Sequence, residues 1–466
     1  MQINQSEIKW SGLSTADEVG RVFFWNQKVY RAIFKDKIEH INKLFSCGLL
    51  DELIQQKLIP HTTPTDYKIS DFGLVLEHER IHALTYPYEW SFEMLKAAAE
   101  AVLKINSISR KYGYQMKDCH AYNVVFNGTR PVYVDIGSFT EVDANFNGLL
   151  CYEEFLRSYL YLLRIGNTTD YHWVKQLIAS DSIISHDSYF LYKYPILRFF
   201  GSQLTRKITR FYFLYKSDRI INAEARSGIS KQAGIFFNML RRNNLLPFQN
   251  VDPLRLHKKI SRLKKMEYKT TWGDYHNEFQ ENALAGNYRF ERIIEILRGY
   301  NVKTVFEIAG NQGFFSRMML EKLNLEHACC SDYDENAVDV MHLLNKDNTK
   351  LSPVLMNFLF PIVTTFTNNP KERFSSDLVI ALAVTHHILL TQRIGIDFLF
   401  NSLKDLSKKY VAVEFMPLGL WDGKVGIPNP HWYTIEWFRD NFSKHFNLLL
   451  EEQLEQNRII FLGERK

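Results

Sequence analysis

The chain has 466 residues, of which 46% are hydrophobic and 23% charged, and its formal net charge at pH 7 is +5. This composition provides the apolar material for packed cores in two or three domains, and it excludes an intrinsically disordered, collagenous or coiled-coil protein. Because the sequence has neither a signal-peptide pattern at its start nor an apolar run of about 18 residues, we expect a cytoplasmic protein without a transmembrane segment.

Three polar residues in the N-terminal half have the spacing of a protein-kinase active site. Asp118 and Asn123 match the D-x-x-x-x-N pattern of a catalytic loop, and Asp135 begins an Asp-Ile-Gly sequence twelve residues after Asn123. In a kinase the first aspartate accepts the substrate proton, while the asparagine and the second aspartate hold Mg²⁺ on the phosphates of ATP. These residues predict a kinase-like site whose candidate ligands are ATP and Mg²⁺.

The elements around this site predict an α+β kinase-like domain over residues 1–250. A β-rich segment covers residues 22–33 and a helix covers residues 91–112, as a kinase-like fold requires. However, no glycine-rich phosphate loop precedes the β-rich segment, and Arg31 stands where a kinase would have the lysine of its third strand. We therefore favour a degenerate lobe that scaffolds or binds an acceptor over active phosphoryl transfer, and a hairpin with solvated carboxylates is the structural alternative.

The segment from Arg198 to Lys265 is strongly basic. It contains sixteen Lys and Arg residues against three acidic ones, a local net charge of +13 that leaves −8 for the rest of the chain. Aromatic residues are interleaved with the positive charges, and such a surface suits an anionic glycan, a lipid headgroup or a nucleic acid. The alternative is a set of amphipathic helices with solvated basic faces and an aromatic core side.

The C-terminal half contains a strand, a loop with two glycines and a helix in succession. Residues 304–308 form an apolar, β-branched run, and Gly310 and Gly313 follow before a helical pattern begins. A second apolar run ends in Asp332, nineteen residues after Gly313, where a nucleotide-binding α/β unit presents a carboxylate to a ribose. The sequence therefore predicts a Rossmann-like crevice.

Later elements extend this prediction to a complete domain over residues 251–466. Strands and helices alternate and then end in a hairpin, which predicts a Rossmann-like, seven-stranded α/β sheet whose strand ends face one crevice. The expected elements are strands over 377–384 and 410–415, helices over 392–408 and 434–446, and a hairpin around Asn457 and Arg458.

The loop chemistry carries a resemblance to a known class of enzyme. Dinucleotide sites use three glycines to admit a pyrophosphate, whereas here an acid precedes only two glycines. The pattern Glu-x-x-Gly-x-x-Gly resembles the first motif of class I S-adenosylmethionine (SAM) methyltransferases. The resemblance implies SAM as the cofactor, with an acid facing its ammonium group, an aspartate on the ribose hydroxyls and two residues at the adenine. The implied cofactor-binding residues are Glu307, Gly310, Asn311, Gly313, Asp332, Tyr333 and Asn357.

Longer sequences resemble bacterial class I methyltransferases of the nodulation-protein type. They are Tyr-Pro-Tyr-Glu-Trp-Ser-Phe, Lys-Asp-Cys-His-Ala-Tyr-Asn, Val-Asp-Ile-Gly-Ser-Phe, Glu-Ile-Ala-Gly-Asn-Gln-Gly and Ala-Val-Thr-His-His-Ile. The layout is also similar to that of the kinase and methyltransferase enzymes that cap bacterial O-antigen chains, in which the methyltransferase comes first. The resemblance covers nearly the whole chain and implies a SAM-dependent methyltransferase in surface-polysaccharide or oligosaccharide biosynthesis.

Methyl transfer to a hydroxyl requires a positioned base and a shielded pocket. His386 and His387 follow the fourth strand and are the candidate bases, while Glu414 after the next strand would orient the base or bind a sugar hydroxyl. Trp272 and Tyr275 precede the first strand and are candidates for a lid over SAM, with simple packing as the alternative. No metal site is predicted, because no third ligand stands at readable spacing from the histidine pair.

The main functional hypothesis is a SAM-dependent methyltransferase that O-methylates a hydroxyl of a surface glycan or a related sugar. One alternative is a kinase-like phosphotransferase or nucleotide-binding scaffold with a non-catalytic C-terminal crevice. Another alternative is an RNA methyltransferase that uses the basic helices, although no base-reading motif favours nucleic acid as the partner.

Overall fold

The computed structural model forms two compact units. The N-terminal unit comprises Met1–Arg80, Leu95–Val125 and Pro131–Met266, and the C-terminal unit comprises Ile81–Met94, Phe126–Arg130 and Glu267–Lys466. Two short segments from the first third of the chain therefore belong to the C-terminal unit. The described residues are 1–15, 17–142, 148–181, 183–196, 203–204, 206–209, 211, 228–243, 252–270, 288–364, 367–421 and 428–466.

The first half of the chain contains a five-stranded antiparallel sheet and two short two-stranded sheets. The strands are β1 (Lys9–Trp10), β2 (Gly20–Trp25), β3 (Lys28–Phe34), β4 (Thr62–Thr65), β5 (Phe72–His78), β6 (Tyr114–Met116), β7 (Val124–Asn127), β8 (Arg130–Tyr133) and β9 (Phe139–Glu141). The five-stranded sheet has the order β1-β2-β3-β5-β4, and β6 pairs with β9 and β7 with β8.

The β-rich segment predicted over residues 22–33 is a hairpin in which a two-residue turn joins β2 and β3. Asn26 and Gln27 form its turn, and both have positive φ angles of 48° and 62°. A two-residue turn in which both residues are left-handed matches the right-handed twist of the flanking strands. Asparagine adopts this conformation more readily than most residues, which explains its presence at the first position of the turn. On the inner face Phe23 stacks on Tyr30 with ring centroids 5.3 Å apart, so the hairpin also starts the core of this sheet.

The described α-helices up to residue 261 lie between β3 and β4 and from residue 92 onwards. They are α1 (Ile38–Ser46), α2 (Leu49–Gln55), α3 (Phe92–Lys111), α4 (Tyr152–Phe155), α5 (Tyr161–Gly166), α6 (Tyr171–Asp181), α7 (His186–Lys193), α8 (Gly228–Arg242) and α9 (Pro253–Ser261), with a π-helical turn at Leu156–Leu160. The helix predicted over residues 91–112 is confirmed as α3. Within the described part of the chain, no helix combines the length and the apolar character needed to cross a bilayer.

The C-terminal unit is built on a seven-stranded sheet. Its strands are β10 (Thr304–Ile308), β11 (His327–Asp332), β12 (Leu351–Leu355), β13 (Ser376–Ala381), β14 (Ser407–Phe415), β15 (Phe446–Glu455) and β16 (Arg458–Arg465). The order is β12-β11-β10-β13-β14-β16-β15, with five parallel strands and an antiparallel β15-β16 hairpin. The helices are α10 (Tyr288–Leu297), α11 (Phe314–Lys322), α12 (Glu335–Leu344), α13 (Pro370–Arg373), α14 (Ile396–Leu406) and α15 (Ile435–His445).

The parallel strands are apolar on both faces because helices cover both faces. Phe306 and Val379 lie in the cluster that packs against α14 and α15, whereas their neighbours Val305 and Ile380 lie in the cluster that packs against α10 and α11. The predicted Rossmann-like, seven-stranded sheet is therefore confirmed. Its first strand carries the buried Glu307, directly before the loop that carries the site.

Several element boundaries of the C-terminal unit differ from the prediction. β14 begins at Ser407 rather than at residue 410, and α14 ends at Leu406 rather than at residue 408. β13 ends at Ala381 rather than at residue 384, and α14 begins at Ile396 rather than at residue 392. In both places a residue adopts a left-handed conformation, with φ of 51° at Ala383 and 56° at Arg393. Neither residue type favours this conformation, so the surrounding fold imposes it.

Candidate active site

The loop between β10 and α11 has an irregular backbone that depends on glycine. Asn311 and Gly313 have positive φ angles of 50° and 69°. A Cβ atom on Gly310 would lie 2.4 Å from Cys330 Sγ and 2.7 Å from Glu307 Cδ, so a larger residue would collide with the strands below. The loop therefore passes close over the carboxyl ends of β10 and β11, where parallel sheets bind ligands.

Asp332, the last residue of β11, is held by this loop. Its Oδ2 accepts a hydrogen bond from the backbone N–H of Asn311, and its Oδ1 accepts one from the backbone N–H of Asp334, both at 2.8 Å. Burial raises the pKa of Asp332 to about 6, although the two hydrogen bonds oppose that shift. The structure thus brings the glycine-containing loop and the predicted ribose-binding carboxyl into direct contact and fixes the orientation of the carboxyl.

Glu307 is buried beneath the same loop and contacts two side chains. Ser316 Oγ donates a hydrogen bond to Glu307 Oε2 at 2.5 Å, and Cys330 Sγ donates one at 3.6 Å. Burial raises the pKa of Glu307 to about 7, because these hydrogen bonds offset only part of the cost of burying its charge. Ser316 was not predicted from the sequence. Its signal was a hydroxyl at the third position of α11, from which a side chain can reach back to the preceding strand.

The remaining predicted cofactor residues have different surroundings. Tyr333 follows Asp332 directly and is 56% exposed, so its ring is accessible at the edge of the sheet. Asn357 lies two residues beyond β12, and its Oδ1 accepts a hydrogen bond from the backbone N–H of Leu359 at 3.1 Å, which forms a local turn. Trp272 and Tyr275 lie outside the described residues.

His386 and His387 follow β13 and have ring centroids 4.0 Å apart. Burial, with smaller contributions from His387 and Arg458, lowers the pKa of His386 to about 3. Burial also lowers the pKa of His387. Both rings are therefore neutral at pH 7, and the more deeply buried His386 is the weaker base.

Glu414, in β14, is completely buried and shares its carboxylate with two arginines. Its Oε2 accepts hydrogen bonds from the backbone N–H of Ala383 at 2.9 Å, Arg458 Nη1 at 3.1 Å and Arg289 Nη1 at 3.5 Å. Among the described residues, no group hydrogen-bonds its Oε1. Sequence analysis missed both arginines, because they lie 125 and 44 residues from Glu414 and only the fold brings them together.

Comparisons with known proteins agree with the nodulation-protein resemblance. No family model matches the chain. Nodulation protein NoeA of Rhizobium meliloti (strain 1021) is 24% identical over 429 residues, which cover 87% of this chain and 84% of NoeA. The predicted similarity to bacterial nodulation proteins is thereby confirmed.

Similar solved structures cover part of the chain. N-methyltransferase NodS of Bradyrhizobium japonicum WM9 in complex with S-adenosyl-L-homocysteine (SAH) is 9% identical, with a TM-score of 0.31 over 41% of this chain and 96% of NodS. A SAM-dependent methyltransferase of Aquifex aeolicus is 11% identical, with a TM-score of 0.32 over 43% of this chain and 100% of that one.

The strand arrangement assigns the fold of the C-terminal unit. Five parallel strands reverse their order at β10, and the antiparallel hairpin completes the sheet with β16 between β14 and β15. Together with the acid and glycine loop after β10, this is the layout that the sequence resemblance implies. The C-terminal unit therefore has the fold that the resemblance to class I methyltransferases implies. In this unit the residues named above lie at or just beyond the carboxyl ends of β10, β11, β12 and β13 or near the end of β14.

The residues of the predicted kinase-like site all lie in the N-terminal unit. Arg31 Nη1 lies 2.6 Å from Asp17 Oδ2 and 3.4 Å from Asp135 Oδ1. Burial raises the pKa of Asp135, and the nearby charges of Asp17 and Asp118 raise it further. The backbone C=O of Asn123 accepts a hydrogen bond from Val134 N–H at 2.8 Å, directly before Asp135. The structure therefore clusters Asp118 with Asp135, and Arg31 is the partner of Asp135.

Glu154 is a further carboxyl in this cluster that sequence analysis missed. Its Oε2 accepts a hydrogen bond from the backbone N–H of Cys119 at 2.6 Å. Burial and a hydrogen bond with Asp118 raise the pKa of Glu154 to about 7. Within the described residues, no three His, Cys, Asp or Glu side chains are grouped so that they could hold a metal ion.

Proposed function

We propose that this protein is a SAM-dependent methyltransferase that transfers a methyl group to a hydroxyl of a surface glycan or a related sugar. The observation that carries the proposal is the hydrogen bond from Asn311 N–H to the buried carboxyl of Asp332. This bond fixes a carboxyl that can accept hydrogen bonds from hydroxyls at the end of β11, next to β10, where the strand order of the parallel sheet reverses. A nucleoside with a free ribose diol is the ligand that fits this position.

SAM carries an ammonium group and a sulfonium, and it supplies an electrophilic methyl group. In the proposed complex Asp332 binds the ribose hydroxyls and Tyr333 flanks the adenine, with Asn357 at the adenine edge. Glu307 provides the negative charge that attracts the ammonium, directly or through water. Gly310 and Gly313 have no side chains, so the space over β10 stays open for the ligand. The close approach of Cys330 and Glu307 to Gly310 supports this role, because it leaves no room for a larger residue there.

We propose His387 as the general base that removes the proton from the acceptor hydroxyl. His387 is less deeply buried than His386, and a neutral imidazole can accept the proton at a ring nitrogen. His386 is the weaker candidate, because its pKa of about 3 makes proton uptake at pH 7 unfavourable. The contact between the two rings suggests that His386 positions His387.

We propose that Glu414 and its two arginines bind the acceptor. Sugar hydroxyls both donate and accept hydrogen bonds, so they require a mixed set of partners. Glu414 Oε1 provides an acceptor, since no group in the described chain hydrogen-bonds it, and Arg458 and Arg289 provide donors beside it. The hydrogen bonds of Glu414 support a role in acceptor binding rather than in orienting the histidine base.

Calorimetry with SAH tests the proposed cofactor site. We expect wild-type protein to bind SAH with micromolar affinity and Asp332→Ala to lose this binding, because the ribose hydroxyls lose their acceptor. Asp440→Ala is the matched control, since Asp440 is an exposed aspartate of the same domain. Equal SAH affinity in wild type and Asp332→Ala would contradict the proposed cofactor site.

Incubation with labelled SAM and a panel of cell-envelope glycans, total RNA and protein tests the acceptor. We expect label in a glycan, and label that appears only in RNA or only in protein would overturn the glycan proposal. We further expect His387→Ala to lose most of its turnover while it keeps SAH affinity. If His386→Ala and His387→Ala both keep the full rate, the base is another residue.

A second proposal concerns the N-terminal unit, which we infer to be a degenerate kinase-like lobe. The ion pair between Arg31 and Asp135 supports this, because the carboxylate that a kinase uses for Mg²⁺ is here bound to a guanidinium. We expect calorimetry with Mg²⁺ and ATP to detect no binding. Tight binding that Asp135→Ala abolishes would instead indicate a phosphotransferase.

A further inference from the structure

Helix α8 exposes an apolar stripe to solvent. Ile235, Phe236 and Met239 are about half exposed, with exposed fractions of 49%, 50% and 49%, and Gln232 is exposed on the same face. These positions have the i, i+3, i+4, i+7 spacing of one helix face. Phe237 is buried, so α8 already has another face packed in the N-terminal unit. The exposed apolar stripe is therefore separate from the face by which α8 packs onto the rest of the unit.

The helical residues described between positions 203 and 211 repeat this pattern. Leu204, Ile208 and Phe211 are spaced i, i+4, i+7 and have exposed fractions of 48%, 43% and 54%. Arg206 and Lys207 are exposed beside them. The Phe211 ring contacts the Phe237 ring of α8, with centroids 5.3 Å apart. The two apolar stripes thus belong to neighbouring helical segments of one unit.

Helix α9 of the same unit exposes both apolar and positively charged side chains. In α9, Leu254 is 65% exposed next to the exposed Arg255, and Lys258 is exposed one turn later. Burial lowers the pKa of Lys259, and the nearby charges of Arg164 in α5 and Lys193 in α7 lower it further. The charges of Arg164 and Lys193 therefore act on Lys259, and a positive potential of this kind favours an anion nearby.

We propose that the described helical residues between 203 and 211, together with α8 and α9, form a docking surface for an anionic phospholipid membrane. Half-exposed aliphatic and aromatic side chains flanked by Lys and Arg are the features of helices that lie in a membrane interface. A net charge of +13 over residues 198–265 complements an anionic leaflet. The aliphatic character of Leu204, Ile208, Ile235 and Met239 favours lipid over RNA, which is bound through stacking on aromatic rings and contacts to phosphates.

The direct test is co-sedimentation of the full-length protein with vesicles. We expect binding to vesicles that mix phosphatidylcholine with phosphatidylglycerol, little binding to phosphatidylcholine alone, and weaker binding as salt is raised. The double variant I235Q/F236Q should bind the mixed vesicles about tenfold more weakly or worse, because two apolar anchors are lost. The variant R255E/K258E should weaken binding to the mixed vesicles and reduce its salt dependence.

The matched control is L343Q/L344Q, which replaces two adjacent exposed leucines of α12, with exposed fractions of 55% and 53%. We expect this control to bind the mixed vesicles as wild type does, and unchanged thermal unfolding verifies that each variant is folded. Three results would overturn the proposal. They are no vesicle binding by wild type, equal losses in I235Q/F236Q and the control, and binding to an RNA homopolymer in place of vesicles.

Discussion

Glu307 and Asp332 are buried carboxyl groups whose protonation is coupled to ligand binding. Burial raises their pKa values to about 7 and about 6, so near neutral pH a fraction of each carries no charge. A cationic ligand stabilises the charged form, and binding therefore releases protons. The crevice consequently gains its full negative charge only above about pH 7.

We predict that the affinity for SAM decreases as pH is lowered below about 7. The pKa of Glu307 lies above its usual value of 4.5, so acidification neutralises it at a higher pH than an ordinary glutamate, and affinity falls by up to about tenfold per pH unit. Glu307→Gln should bind SAM more weakly at pH 8 and show a smaller decrease between pH 7 and 6. Calorimetry across this range measures both effects. An unchanged slope in Glu307→Gln would show that another group titrates.

Gly310 allows a test of close packing at the site. In Gly310→Ala the new Cβ would meet Cys330 Sγ and Glu307 Cδ, so the loop must shift, and we expect a loss of about 1–3 kcal/mol in stability together with weaker SAH binding. Gly395→Ala is the control, because its Cβ would meet no heavy atom within 4 Å and its φ is −64°. Thermal unfolding and SAH titration of both variants make the comparison. Equal behaviour would refute the packing argument.

Elements with a continuous apolar pattern could be predicted from the sequence. β10 and β11 agree with the predicted runs at 304–308 and 327–332, because both faces of each strand are buried. The early end of β13 could not be predicted, because the left-handed conformation of Ala383 has no sequence signal. Ser316, Arg289 and Arg458 were missed for a related reason, since their roles depend on contacts across the fold.

A buried ion pair stabilises the short 3₁₀ turn at Pro87–Glu89 in the C-terminal unit. Arg373 donates to both carboxylate oxygens of Glu89, at 2.8 and 2.6 Å, and the two side chains are 2% and 3% exposed. The guanidinium carbon also lies 4.6 Å from the ring centroid of Tyr86. Both partners are therefore desolvated, and each depends on the other for compensation of its charge.

We predict that Glu89→Gln lowers the free energy of unfolding by about 3–5 kcal/mol, because Arg373 is left as an uncompensated buried charge. Glu39→Gln, which removes an exposed partner of Lys43, should cost about 0.5 kcal/mol or less. Denaturant titration measures both. Simultaneous replacement of Glu89 and Arg373 by Leu and Met should recover much of the loss. A loss in Glu89→Gln as small as in the control would contradict this.

At the scale of the whole molecule, the C-terminal unit includes residues that precede its sheet by more than two hundred positions. Trp90 and Phe126 from the two inserted segments are buried and contact each other, with ring centroids 5.2 Å apart. Thr129 Oγ1 donates a hydrogen bond to the backbone C=O of Asn345 at 2.7 Å. Periodicity shows that such segments are apolar, but it cannot show which core they enter.

We predict that Gly128→Ala destabilises the protein more than Gly113→Ala. Both glycines have positive φ angles, of 63° and 79°, so both variants carry a similar backbone cost. Only at Gly128 would the Cβ collide with backbone, 2.0 Å from the Asn348 carbonyl oxygen, whereas at Gly113 it would meet nothing within 4 Å. Differential scanning calorimetry should show a larger decrease in Tm for Gly128→Ala. Equal decreases would mean that the contact with Asn348 is dispensable.

The inserted segments Ile81–Met94 and Phe126–Arg130 also bear on how such a protein can evolve. A recombination event near residue 250 would exchange most of the C-terminal unit but leave Trp90, Phe126 and Glu89 behind. The incoming sequence would then have to fit aromatic and charged partners that it did not evolve with. Inheritance of the two halves as one gene is therefore favoured over shuffling of separate modules, and chimaeras should retain function only when both segments are exchanged together with the sheet.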